Sequence, residues 1–108
     1  MPDEIDAGVL DAIKLDAVSR LSEERKLKTN LLVDRRIYEP GDEVGPRNQR
    51  FAVRTRTVVV FADDDPRANW GHECRYLLYD AESGDLLQEV PARLPSGKLE
   101  LFFSPLSR

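Results

Sequence analysis

Rare and reactive side chains are scarce: one Cys, one His, one Trp and one Met in 108 residues. A single cysteine excludes an internal disulfide and any zinc site built on several thiolates. No apolar run reaches the ~18 residues that a membrane-crossing helix needs. The opening MPDEIDAG is acidic and holds no apolar stretch, so it does not read as a secretory leader, and a cytoplasmic location is expected. Positive charge is not in excess either: the formal net charge is −4, which disfavours nucleic acid as a partner. What is present is 41% hydrophobic and 33% charged residues, the balance of a well-solvated globular chain. Its length suits one domain spanning residues 1–108.

Charge is distributed in blocks. Residues 1–24 carry a net −5, residues 25–56 a net +5 and residues 57–108 a net −4. The basic block contains Arg35, Arg36, Arg47, Arg50, Arg54 and Arg56, a candidate strip for nucleic acid. The same residues also suit the solvent face of strands, paired with acidic neighbours.

Periodicity divides the chain into a helical part followed by strands. Ile5, Val9, Ile13, Ala17 and Leu21 recur at helical spacing, widened by Leu10 and Val18, and predict an amphipathic helix over about 4–26. Asp3 is the expected cap. Strands follow at about 31–38, 50–61, 74–80, 85–90 and 98–103. Within the longest, Phe51, Val53, Thr55, Thr57, Val59 and Phe61 share one face, and Val58–Phe61 reads as covered on both sides. EPGDEVGPRNQ, with two Pro and two Gly, reads as a loop, and AESG as a tight turn using Gly84. Phe102 and Phe103, on opposite faces of a regular strand, would each need cover, which admits a second copy of the chain as a partner. One helix and about five strands without long crossovers predict an α+β fold: an N-terminal amphipathic helix packed on a largely antiparallel sheet. A β-sandwich carrying an N-terminal helix is the alternative.

This element order, with the hairpin YLLYDAESGDLLQEV, resembles the cystatin-like folds and the propeptide domains of some secreted bacterial proteases. The resemblance implies one helix packed on an antiparallel meander. The inhibitory loop of cystatins, a Gln-Val-Val-Ala-Gly type sequence, has no counterpart in QEVPA at 88–92, so no functional residue is carried over.

The chemistry-bearing residues gather in ADDDPRANWGHEC, residues 62–74. His72 and Cys74 lie two apart, so on a strand they would share a face and could form a nucleophile–base couple. Glu73 opposes thiolate formation, however, and no helix N-terminus supports it. Asp63, Asp64 and Asp65 are consecutive and run into Pro66, which fits no calcium-loop template. No catalytic residue, metal or cofactor is therefore assigned. Asp-Asp-Asp-Pro is turn chemistry, and Trp70 is either folded onto the core or presented as an interface anchor. The expectation is a non-enzymatic protein-interaction domain, inhibitor-like or adaptor-like, using Trp70, Asp63, Asp64, Asp65, Arg67 and His72. A small Cys/His- or metal-dependent enzyme centred on residues 63–74 is the alternative, and nucleic-acid contact through the arginines a second one.

Overall fold

The computed structural model describes residues 5–46, 50–64, 74–93, 95 and 97–105. Its helix α1, Ala7–Ser19, is followed by the single turn α2, Glu23–Lys26. Strands follow in the order β1 Asn30–Tyr38, β2 Glu43–Val44, β3 Phe51–Ala52, β4 Thr57–Asp63, β5 Cys74–Asp80, β6 Leu86–Ala92 and β7 Leu99–Phe103. Five of them form one antiparallel sheet in the order β6-β5-β4-β1-β7, and β2 and β3 make a separate ribbon. The fold is thus α+β, an N-terminal helix on a five-stranded antiparallel sheet.

The alternating pattern builds two cores, one on each sheet face. On one face Leu31, Val33, Val58, Val60, Ala62, Leu77 and Tyr79 meet Ile5, Leu10, Ile13, Ala17 and Leu21 from the helical region. On the other, Val59, Phe61, Tyr76 and Leu78 meet Val44, Val53 and Phe51 from the ribbon and its flanks. The central strand β4 is consequently buried along its whole length. No helix among the described residues is long and apolar enough to cross a membrane.

The expected helix over about 4–26 is divided: α1 starts at Ala7 and ends at Ser19, and α2 resumes at Glu23 and runs to Lys26. Asp3 lies outside the described residues, and it is Asp6 whose carboxylate accepts from the Val9 amide at 3.1 Å. Past Ser19 the chain turns to bury Leu21, and Ser22 starts α2 by accepting from the Arg25 amide, also at 3.1 Å. Serine followed by Glu23 and Glu24 is a strong N-terminal signal, which favours a fresh start over a continuous helix.

The expected strand 50–61 divides as well. Phe51–Ala52 joins the ribbon, and the chain then bends through residues 54–56 before Thr57 enters the main sheet. The bend is fixed where the Val53 amide donates to the Asp42 carbonyl at 2.9 Å and the Ala81 amide to the Arg56 carbonyl at 2.9 Å. Part of the glycine- and proline-rich stretch after Tyr38, expected as loop, supplies the ribbon's other strand. Phe102 and Phe103 do not face opposite ways in need of separate cover. Leu31 pairs with Phe103 and Leu32 with Leu101, so Phe102 is the extra residue of a bulge, and both rings pack against the helix-side core. The Lys14 ammonium lies 5.8 Å from the Phe102 ring centroid.

Candidate functional site

β4 ends at Asp63 and β5 begins at Cys74, so the sequence-predicted cluster leaves and re-enters the sheet at one end. Asp65, Arg67, Trp70 and His72 lie outside the described residues; Asp63, Asp64 and Cys74 lie within them.

Asp64 is the hub of this end of the sheet. Its carboxylate accepts from Arg75 Nε at 2.9 Å and Arg75 Nη2 at 3.0 Å, a two-pronged pair. Arg25 Nη1 approaches the same carboxylate at 2.8 Å, and Thr29 Oγ1 donates to it at 3.1 Å. Arg75 continues the chain of charges to Glu89 Oε1 at 3.0 Å. Burial alone would raise the Asp64 pKa, but Arg75 and then Arg25 hold it below the ordinary carboxylate value. The network ties Arg25 of α2 and Thr29 just after it to the end of β4 and to the β5–β6 hairpin, distant in sequence from α2.

Asp63 is buried beside this hub, at 5% exposure. Neither described aspartate therefore projects as a free acidic contact: one is enclosed and the other is taken up by internal cations. Sequence reasoning placed both in an interaction loop and missed the partners Arg25, Thr29, Arg75 and Glu89. No local signal marks those partners, because only the folded chain brings them together.

Beside Asp64 lies a hollow of about 610 Å³, with Cys74, Pro91 and Ala92 against it and Arg25, Arg75 and Arg93 around it. Cys74 is 2% exposed, and its thiol is pushed up to about 11 by burial first and then by the charges of Asp63 and Asp64. Such a thiol is almost wholly protonated at neutral pH, the wrong state for a free nucleophile. The hollow thus sets small apolar side chains beside three guanidinium groups, of which Arg25 and Arg75 are ion-paired to Asp64.

The arginines of the basic block behave differently from one another. Arg36 pairs with Asp42 at 3.4 Å and lies over the Tyr38 ring, 4.4 Å from its centroid. Arg50 meets Glu43 at 3.6 Å, and Arg56 bridges Glu39 and Glu82 at 3.3 and 3.9 Å. Arg47 lies outside the described residues. Much of this positive charge is thus answered by neighbouring carboxylates, which weakens the case for a phosphate-binding strip. Comparison of the chain with family models, with curated proteins and with solved structures gave no match.

Proposed function

We propose that this chain is a non-catalytic protein-interaction domain that meets its partner at the end of the sheet carrying residues 63–74. The observation that supports it is the hollow beside Asp64, where ion pairs pre-set the arginine rim before any partner arrives. Pre-positioned side chains lose little freedom on binding, and Arg and Trp are the residue types that concentrate interface energy. The raised Cys74 pKa supports recognition over thiol catalysis. Trp70, which sits in the sequence between β4 and β5, is the proposed anchor, with Arg93 on the rim of the hollow.

The test uses the full chain as bait in an extract of its host, with quantitative mass spectrometry, beside Trp70→Ala and Arg93→Glu. A saturable partner enriched on the wild-type bait and lost from both variants, with unchanged circular dichroism, is the expected result. No enriched partner, or one that both variants retain, overturns the proposal.

A further inference from the structure

On the sheet face away from the helix, the ribbon covers β4 and β5 and leaves a groove of about 620 Å³ between itself and β6. Its apolar lining comes from Phe51, Leu78 and Leu87 and its polar lining from Arg54, Thr55 and Gln88. The volume falls in the range of ligand-binding clefts, roughly 300–1,000 Å³. Leu87 is there because of a bulge: Tyr79 pairs with Leu86 and Leu78 with Gln88, so Leu87 is the extra residue of β6. It stays 49% exposed, an uncovered leucine beside an apolar floor.

Two further observations say what fits. The first is charge: Arg54 is exposed and, unlike Arg36, Arg50 and Arg56, makes no ion pair among the described residues. The second is shape, because among the described strands those bordering the groove, β3 and β6, each stand last in their sheet. An extended chain has side chains on alternate sides, so one set can meet the floor while the other carries charge to the rim. We infer that the groove is a docking site for an extended peptide segment of alternating apolar and acidic residues, with a carboxylate on Arg54 and apolar side chains against Phe51, Leu78 and Leu87. This surface involves none of the residues around Asp64, so the inference stands apart from the proposed function.

Fluorescence anisotropy of the full chain with a labelled Val-Glu alternating peptide of about eight residues tests it, that length spanning about 26 Å when extended. The Val-Lys counterpart and a labelled oligothymidine serve as comparison probes. The expected result is saturable binding of the Val-Glu peptide alone, weakened about tenfold or more by Arg54→Glu. Arg54→Lys retains most of it, Leu87→Ser weakens it, and Arg93→Glu at the hollow leaves it unchanged. Equal binding of the Val-Lys peptide, preference for the oligonucleotide, no binding, or indifference to Arg54→Glu or Leu87→Ser overturns the inference. So does sedimentation showing a dimer that Leu87→Ser dissolves, because the groove's occupant would then be a second copy.

Discussion

Out of water and beside two carboxylates, the Cys74 thiol keeps its proton far beyond the ordinary cysteine range, to about pH 11. Reaction with a thiol-specific disulfide reagent at neutral pH is accordingly expected to be at least about tenfold slower in the native protein than in denaturant, since the thiolate is the reacting species. A native rate matching the unfolded one would contradict that assignment. For stability the raised value works in one direction. The neutral thiol is preferred in the folded state, so its contribution is complete below the ordinary value of 9.0 and is lost as pH climbs towards 11. Asp64 has the opposite sign, being lowered from 3.8 in the folded state. Its contribution is complete above the unfolded value and disappears as pH falls through the lower folded one. Asp64→Asn should cost about 2 kcal/mol near neutrality, for it leaves Arg75 and Arg25 without their shared carboxylate. The deficit should shrink below about pH 4, measured by urea unfolding across the acid range. A pH-independent difference would show that the lost interaction is not ionic.

Between β6 and β7 the chain returns across the end of β1, and one glycine governs how closely. Gly97 has φ +94°, and a Cβ there would stand 2.5 Å from Asp34 Oδ2 and 3.3 Å from the Tyr38 hydroxyl. Those two groups are hydrogen-bonded at 2.7 Å in the interior, where burial first and then Asp34 push the tyrosine up to about 12. Asp34 also accepts from the Arg36 amide at 2.9 Å, so both its oxygens are engaged. Gly97→Ala combines a strained left-handed residue with a clash against buried polar atoms. It should destabilise by about 2–3 kcal/mol in denaturant unfolding, against about 1 kcal/mol for the backbone conformation alone. A loss near zero would mean the loop lifts away without cost. Asp34, a charged residue in a strand, is only 3% exposed. Its hydroxyl partner four residues on and a glycine from a distant loop make burial tolerable, and neither is signalled by local pattern. The break after Ser19 has a local signal, in contrast: Ser22-Glu23-Glu24 is a helix start in its own right, inside the range over which the apolar stripe alone predicts one helix.

Across the whole molecule, the sequence features that carried through were the strong periodicities. The stripe from Ile5 to Leu21 does lie on the sheet, and Val58–Phe61 is covered on both faces as its unbroken apolar run implied. The second cover was not legible, because it is a ribbon of two two-residue strands, too short for any alternation to show. Bulges were hidden for a similar reason: one extra residue in β6 or β7 is defined only against its partner strand. Ion-pair partners such as Arg25 and Arg75 are set by chain closure, which composition does not encode.

The position of β1, held between β4 and β7, has a consequence for the order in which the molecule is assembled during synthesis. Strands β4, β5 and β6 are successive hairpin neighbours and can zip together as they emerge, with β1 already waiting on the flank of β4. The far edge of β1, Leu31 to Asp34, has no mate until residues 99–103 leave the ribosome. For that interval an apolar strand edge is open to any other nascent chain nearby, and Gly97 has not yet closed over Asp34. β7 is therefore the strand that moves β1 from the edge of the sheet into its interior.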